Sequence, residues 1–273
     1  MTLGETLDAA ATYLASRGVE HPRLDAELIL ARALGLTRLE LYTQHDRPLT
    51  SAERDAAREP VRRRGGREPL AYVLGDWGFR RLTLHTDARA LVPRPETEVV
   101  VDRCLALLDG AERPRVLDVG TGTGAIALAI KQELPDALVT ATDSSPEALA
   151  LAGENAACNG LEVNFVETDL LEGVAGPFDV VVSNPPYVLA EEVEKLEPEV
   201  RDWEPRGALV DAGQTERLVE QAARVLDGWL VLEIHAERAA HVTGLLEAAG
   251  YDGVHVTPDL AGRERIVEGR WTS

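Results

Sequence analysis

The stretch SNPPYV, residues 183–188, places an amide and a phenol on either side of two rigid prolines. It follows the apolar run FDVVV, which predicts a buried strand that must end here because proline donates no ladder hydrogen bond. The side chain of Asn184 and the backbone of Pro185 supply two carbonyl acceptors, whose directions Pro185 and Pro186 restrict. Tyr187 adds a flat aromatic face. Two acceptors beside a ring suit a planar NH2 group, which is either a carboxamide or the exocyclic amine of a base.

A nitrogen of this kind is a poor nucleophile, because its lone pair is delocalised into the carbonyl or the ring. Acceptors on both N–H bonds orient the nitrogen and favour pyramidalisation, which frees the lone pair for attack. The partner that fits this chemistry is a methyl group on a positively charged sulfur. A plain Pro-Pro turn would explain the prolines, but not the asparagine before them or the tyrosine after them.

A glycine-rich loop lies between the predicted strand RVLDV and the predicted helix AIALAIKQEL. The loop comprises Gly120, Thr121, Gly122, Thr123 and Gly124. Asp143 follows the next predicted strand, where a carboxylate can accept both hydroxyls of a ribose. The pattern predicts a cofactor that contains adenosine. Because GTGTGA also satisfies the dinucleotide fingerprint, a nicotinamide enzyme remains an alternative at this point.

The third predicted strand of this region ends at Asp169 and Leu170. An acid here could accept from an adenine amino group, and an apolar neighbour could cover the ring. Either residue could equally belong to a loop without a ligand.

The elements that must position these residues change in type along the chain. Residues 1–75 follow helical spacing, residues 76–95 predict a hairpin linker that turns around Thr86 and Asp87, and residues 96–273 alternate strands and helices. Continuous apolar strands alternating with helices predict a mostly parallel α/β sheet covered on both faces. The last two strands, near GVHVT and RIVEG, are joined too closely for a helical crossover and should pair antiparallel.

Composition narrows the classes of protein. With 273 residues and 45% hydrophobic residues, the chain can form a packed core. No apolar stretch approaches the roughly 20 residues of a membrane span, and no secretory signal is visible. Cys104 and Cys158 stand far apart and predict ordinary buried thiols of a cytoplasmic protein, and no residues predict a metal site.

Charge is distributed unevenly. The formal net charge is -19, of which residues 1–78 carry about -1, with 12 acids and 11 arginines. Residues 79–273 carry -18, which argues against general nucleic-acid binding by this part. This acidity indicates either solubility alone or a basic partner of matching charge, and solubility alone explains it at least as well. The run Arg62–Arg64 with Arg67 predicts a solvated helix end, with contact to RNA or an acidic partner as the alternative.

At this point the chain resembles a known family. Its motifs, in order, are PRPETE (Pro93–Glu98), VLDVGTGTGAIALA, NPPY, EPRGAL (Glu204–Leu209) and DLAGRER (Asp259–Arg265). This order is similar to that of the protein-(glutamine-N5) methyltransferases of class I peptide chain release factors, over essentially the whole chain. NPPY is shared with N6-adenine methyltransferases, whereas PRPETE and DLAGRER are more specific to the release-factor enzymes.

The resemblance implies a Rossmann-like class I S-adenosylmethionine-dependent methyltransferase domain with a seven-stranded sheet, preceded by a small helical domain that helps to dock the release factor. Its implied cofactor-binding residues are Gly120, Thr121, Gly122, Thr123, Gly124, Asp143, Asp169, Leu170 and Asn184. Its implied residues for the glutamine of the Gly-Gly-Gln loop are Asn184, Pro185, Pro186 and Tyr187, with Asn184, Pro185 and Tyr187 catalytic. Arg94 and Glu96 would fix the approach to the pocket.

Two positions depart from the family. His235 stands where the family usually has glycine, and Leu170 is aliphatic where many members carry an aromatic beside the adenine. These changes affect local packing and cofactor affinity, but not the amide site.

Four functions therefore compete at this stage. A glutamine methyltransferase of release factors is the first, and an N6-adenine methyltransferase of DNA or RNA is the second, disfavoured by the acidic charge. A non-catalytic cofactor-binding module leaves the intact NPPY unexplained, and a nicotinamide dehydrogenase lacks an obvious hydride-transfer site. We expect a cytoplasmic monomer that uses release factors as partners and does not bind nucleic acid or membrane.

Overall fold

The computed structural model describes residues 1–259 and 261–272, so Leu260 within the DLAGRER motif lies outside the described residues. Helices α1 to α12 are, in chain order, Leu3–Ser16, Pro22–Leu34, Arg38–Thr43, Ser51–Gly65, Leu70–Leu74, Glu98–Leu107, Ala125–Glu133, Pro146–Asn159, Pro198–Arg201, Arg206–Leu209, Gln214–Ala222 and Ala239–Ala249. Strands β1 to β9 are Asp76–Phe79, Leu82–His85, Arg115–Val119, Leu138–Asp143, Asn164–Glu167, Phe178–Ser183, Leu226–Glu233, Asp252–Pro258 and Glu264–Trp271. None of the helices in these residues has the length and apolar character of a membrane span.

The chain divides into two compact units. The helical unit contains Met1–Asp76 together with Leu196–Trp203, and the sheet unit contains Trp77–Lys195 and Glu204–Ser273. The later segment of the helical unit was not foreseen, because nothing in its composition distinguishes it from the loops on either side. The predicted role of the helices in docking a substrate stays a prediction.

Three helices of the helical unit begin with the same N-terminal capping box. Thr2, Thr37 and Thr50 each accept a hydrogen bond from a backbone N–H three residues later, and a glutamate there bonds back to the cap. This reciprocal arrangement satisfies donors that have no partner within the helix. The apolar faces of α1, α2 and α4 then enclose one core.

The arginine run at the end of α4 is not simply solvated, which corrects the prediction for Arg64 and Arg67. Arg64 is 6% exposed, and its Nε lies 2.6 Å from Asp25 Oδ2. Glu199 lies 2.8 Å from Arg64 Nη1 and 2.6 Å from Arg67 Nη2. The carboxylates that neutralise these arginines lie far away in sequence, so local helix chemistry could not show them.

The sheet unit has the order β5-β4-β3-β6-β7-β9-β8. Neighbours from β5 to β7 are parallel, whereas β9 is antiparallel to both β7 and β8. This arrangement confirms the predicted mostly parallel seven-stranded sheet and its antiparallel last strand.

Both faces of the sheet are covered, because successive residues of a strand point to opposite sides. Val116 and Val182 pack in one cluster with α6 and α7, whereas Leu117 and Val181 pack in a second with α11 and α12. The continuous apolar strands of the sequence have this physical cause.

Two local predictions are wrong. The hairpin turns at Arg80 and Arg81, between β1 and β2, and not around Thr86 and Asp87. Arg80 takes a positive φ of 51° there, and its backbone N–H bonds to Glu98 Oε1 at 3.0 Å, so tertiary contacts hold the turn. Cys104 is buried as expected, but Cys158 is exposed.

Candidate functional site

The ends of three neighbouring strands bring the two sequence motifs together. Val119 at the end of β3 is paired with Thr142 on β4 and with Ser183 on β6. The Ser183 hydroxyl also donates to the Val119 carbonyl at 2.7 Å. Because parallel strands end at the same edge, the glycine loop and Asn184 begin side by side.

A cavity of about 290 Å³ opens at this edge, within the sheet unit. It is lined by the predicted residues Gly120, Thr121, Gly122, Thr123, Asp143, Asp169, Leu170, Asn184 and Pro186. Gly124, Pro185 and Tyr187 are not among its lining residues. The volume lies just below the roughly 300–1,000 Å³ typical of small-molecule pockets.

The glycine loop turns back over the end of β4. The N–H groups of Gly120 and Thr121 both donate to the Thr142 carbonyl at 2.9 Å. Gly120 has a φ of 72°, which favours glycine, and a Cβ built on it would meet no atom of the described residues within 4 Å. The loop therefore leaves open space beside its backbone, as a closely approaching ligand requires.

Gly124 serves packing instead of lining the cavity. It caps α7 with a φ of 83°, and a Cβ there would lie 3.2 Å from the Cβ of Ala152 and 3.1 Å from Leu128 Cδ1. A side chain at this position would push α7 away from its neighbours. Gly124 therefore allows α7 and α8 to pack closely.

Asp118, which the sequence analysis did not single out, holds the loop from beneath. Its Oδ2 accepts from the Thr121 hydroxyl at 2.6 Å and from the Ala127 N–H at 3.1 Å. The side chain is 1% exposed and its Oδ1 has no partner among the described residues. Burial raises the pKa of Asp118 to about 7, against the lowering effect of these two hydrogen bonds. An acid at the penultimate position of a strand before a glycine loop was the available signal.

Asp143 is fixed by the backbone on both sides. Its Oδ2 accepts from the Gly122 N–H at 2.9 Å, and its Oδ1 accepts from the Ser145 N–H at 3.0 Å. Each carboxylate oxygen keeps further acceptor capacity, so the side chain can still receive two hydroxyl groups.

The next strand end supplies a charged pair and a strained residue. Asp169 is exposed and accepts from Arg217 Nη2 at 2.5 Å, a partner that sequence reasoning missed. Leu170 is half-buried and takes a positive φ of 54°. Its carbonyl accepts from the Thr142 hydroxyl at 3.2 Å, which ties this loop to β4.

Asn184 is half-buried and directed by a neighbour. Its Nδ2 lies 3.4 Å from the hydroxyl oxygen of Thr97, in the PRPETE motif. No group in residues 1–259 and 261–272 donates a hydrogen bond to Asn184 Oδ1 or to the Pro185 carbonyl. These are the two acceptors that the sequence predicted for a planar NH2 group.

Pro185 is buried and Tyr187 is half-buried outside the cavity lining. The Tyr187 ring lies 6.0 Å from that of His235, centroid to centroid, at an interplanar angle of 40°, so the His235 departure does reach a residue of the predicted amide site, contrary to expectation. Burial, and next the charge of Glu233, raise the pKa of the Tyr187 phenol above its ordinary value. The phenol therefore stays neutral at physiological pH.

The motifs that carry the resemblance contact one another. Arg94 Nη2 lies 2.7 and 2.8 Å from the two carboxylate oxygens of Glu204, which is 6% exposed. Burial raises the pKa of Glu204, and the charge of Arg94 opposes that shift. Arg263 pairs with Glu96 at 3.6 Å. PRPETE is thereby linked to both EPRGAL and DLAGRER, and its Arg94 lines the cavity.

These residues fit S-adenosylmethionine. The open space beside Gly120 admits a ligand close to the backbone, and the remaining acceptor capacity of Asp143 suits a ribose. Asp169 and Leu170 lie beyond it on the cavity wall, where the adenine ring was expected. Within the described part of the chain, no cluster of three or more His, Cys, Asp or Glu side chains could hold a metal ion.

Comparison with known proteins agrees with this architecture. Residues 5–75 match the family described as the PrmC N-terminal domain, and residues 101–197 match the methyltransferase small domain. The chain is similar in fold to the hMettl16 catalytic domain solved with a MAT2A 3′UTR hairpin, with a TM-score of 0.57 and 19% identity over 78% of this chain and 82% of that one.

Proteins related in sequence have a higher identity to this chain than that structure has. A release factor glutamine methyltransferase of Deinococcus radiodurans is 45% identical, over 99% of this chain and 99% of its own length. One of Geobacter sulfurreducens is 40% identical, over 98% of this chain and 96% of its own length. Since such similarity spans both proteins from end to end, this chain belongs to the release factor glutamine methyltransferase family, a family of S-adenosylmethionine-dependent enzymes.

Proposed function

We propose that this chain methylates the side-chain amide nitrogen of the glutamine in the Gly-Gly-Gln motif of class I peptide chain release factors. The observation that carries this proposal is the orientation of Asn184. Its Nδ2 faces Thr97, so its Oδ1 is left for a donor that approaches from the cavity beside the glycine loop.

The chain's own residues would act on the glutamine amide in two ways. Asn184 Oδ1 and the Pro185 carbonyl accept hydrogen bonds from its two N–H groups, which orients the nitrogen and stabilises the positive charge that grows on it until one of these protons is released. The Tyr187 ring lies at the same strand end and packs on the flat amide. When bound, S-adenosylmethionine supplies an electrophilic methyl group on a sulfonium sulfur.

The cofactor is held on the other side of the cavity. We assign the ribose to Asp143, the close approach to the loop Gly120–Thr123, and the adenine to Asp169 and Leu170. Arg217 would release Asp169 or share it with the ligand, because both side chains are exposed at the cavity wall.

The test is a direct transfer assay. The full chain is incubated with isotopically labelled S-adenosylmethionine and purified release factor, and the Gly-Gly-Gln peptide is examined by mass spectrometry. We expect one labelled methyl group on the glutamine, and none when that glutamine is replaced by alanine. Transfer to DNA or RNA, with the release factor left unlabelled, would instead establish the adenine methyltransferase.

A further inference from the structure

We propose that Thr97 and Glu233 are positioning residues that fix which end of the Asn184 amide faces the substrate. This inference rests on the proposed function and adds two residues to its site. Neither belongs to the motif NPPY; Thr97 lines the cavity beside Asn184, whereas Glu233 is not among the lining residues.

The strand register brings the three side chains together. Ser183 at the end of β6 is paired with Leu232 on β7, so Asn184 and Glu233 follow at the same edge of the sheet. Thr97 approaches them from the start of α6. Thr97 is 5% exposed and Glu233 is 1% exposed, so water cannot replace either partner.

The direction of each hydrogen bond follows from counting donors. An ionised Glu233 can only accept, and we take the Thr97 hydroxyl, which lowers its pKa, as its donor. The single hydroxyl hydrogen is then used, so Thr97 Oγ1 can only accept from Asn184. Asn184 must therefore turn its Nδ2 toward Thr97, as the 3.4 Å contact shows, and its Oδ1 toward the cavity.

Protonation of Glu233 reverses the direction of both hydrogen bonds. A neutral carboxyl can donate to Thr97 Oγ1, which frees the hydroxyl hydrogen to point at Asn184. The Asn184 amide can then rotate so that Nδ2 faces the substrate NH2 group. Both groups are hydrogen-bond donors, so no hydrogen bond forms between them. The ionisation of Glu233 thus decides whether Asn184 presents an acceptor.

This ionisation falls in an accessible range of pH. Burial raises the pKa of Glu233 to about 7, while the Thr97 hydrogen bond and the charge of Arg265 oppose the shift. The other groups that face Glu233 are Glu96, which raises its pKa, Arg94, which lowers it, and the phenol of Tyr187. The buried Oε2 of Glu233 has no partner among the described residues, which agrees with burial as the main cause of the raised pKa.

The experiment measures kcat, and KM for the release factor, between pH 5.5 and 8.5 for four proteins. The wild-type kcat should fall on the acid side with a midpoint of about 7. Thr97→Val should lower kcat at high pH by about 10-fold or more, by analogy with residues that orient a ligand-binding side chain. In this variant kcat should no longer fall at low pH; that fall is called the acid limb. Thr97→Ser keeps the hydroxyl and should retain both rate and limb. Glu233→Gln should make kcat independent of pH over this range.

The matched control is Thr243→Val, the same change at a half-buried hydroxyl of α12 that lies outside the cavity. It should leave kcat and its pH profile unchanged. Calorimetry should give an S-adenosylmethionine Kd for Thr97→Val close to that of the wild type, because the ribose and the adenine are assigned to Asp143, Asp169 and Leu170.

The results distinguish a failure of the positioning role from a failure of the proposed function. A wild-type kcat without an acid limb, or a limb retained in Glu233→Gln, overturns the positioning role even if Thr97→Val does not fold. A wild-type enzyme that never labels the release-factor glutamine overturns the proposed function instead.

Discussion

The two sides of the cavity differ in how many of their hydrogen bonds are already made. On the glycine-loop side, Asp143 accepts from two backbone N–H groups and Asp118 accepts from Thr121 and Ala127. On the NPPY side, Asn184 has one contact of 3.4 Å, and its oxygen takes no bond from the described residues. The first side already has its hydrogen bonds in place, whereas the second keeps its acceptors free, as the proposed binding of a substrate amide requires.

This difference predicts that substitutions on the two sides separate into effects on binding and effects on rate. Interactions that strengthen only in the transition state alter kcat, and interactions made equally in the ground state alter affinity.

Asn184→Ala should give the largest effect. It removes the free acceptor, and the loss of one preorganised group of this kind lowers kcat by roughly 10²–10³. Single-turnover methyl transfer to the release factor measures this loss, and calorimetry should show an unchanged cofactor Kd. Asn164→Ala, at an exposed amide on β5, is the matched control. A variant with near-normal turnover would remove Asn184 from the chemistry.

Asp143→Ala should come next and act on binding. Two charge-assisted hydrogen bonds to the ribose are lost, and the backbone N–H groups of Gly122 and Ser145 lose their acceptor. We expect the cofactor Kd to rise by about 100-fold, the lower limit for two hydrogen bonds to a charged group, measured by calorimetry. Asp136→Ala, which removes an exposed carboxylate before β4, should leave the Kd unchanged. Equal Kd values for the two variants would contradict the assignment.

Asp118→Asn should give the smallest effect, on stability. The pKa of Asp118 is raised to about 7 in the folded protein, so its favourable contribution is present at low pH and is lost as pH rises through about 7. The asparagine variant carries no buried charge, so its melting temperature should exceed that of the wild type by roughly 2–6 °C at pH 8.5.

The difference in melting temperature should shrink toward pH 5, where the wild-type carboxyl is protonated. Scanning calorimetry at both pH values measures it, with Asp136→Asn as the surface control. A wild type that melts higher than Asp118→Asn at pH 8.5 would show that the Oδ2 contacts outweigh the buried charge.

The sequence predicted those parts of the site that depend on order along one strand. Gly120, Asp143 and Asn184 each follow a recognisable apolar strand, and parallel strands place their ends together whatever the details of packing. The sheet and its antiparallel last strand followed from the same alternation and from the short final connection.

Partners across the fold could not be predicted in this way. Arg217 meets Asp169 over a separation of 48 residues, and Arg94 meets Glu204 over 110. No local pattern encodes either pair. The hairpin prediction failed for a related reason, since the positive φ of Arg80 depends on contacts with Glu98, Asp102 and Glu133.

The assignment of Leu196–Trp203 to the helical unit means that the chain passes between the two units three times, after Asp76, Lys195 and Trp203. The helical unit therefore could not be exchanged between proteins by recombination at a single point in the gene. A truncated chain that begins at Trp77 lacks Arg64 and Arg67, so Glu199 would lose both of its ion pairs. The segment that contains Glu199 would also lose the helices against which it folds. Grafting the helical unit onto another methyltransferase would succeed only if those eight residues travelled with it.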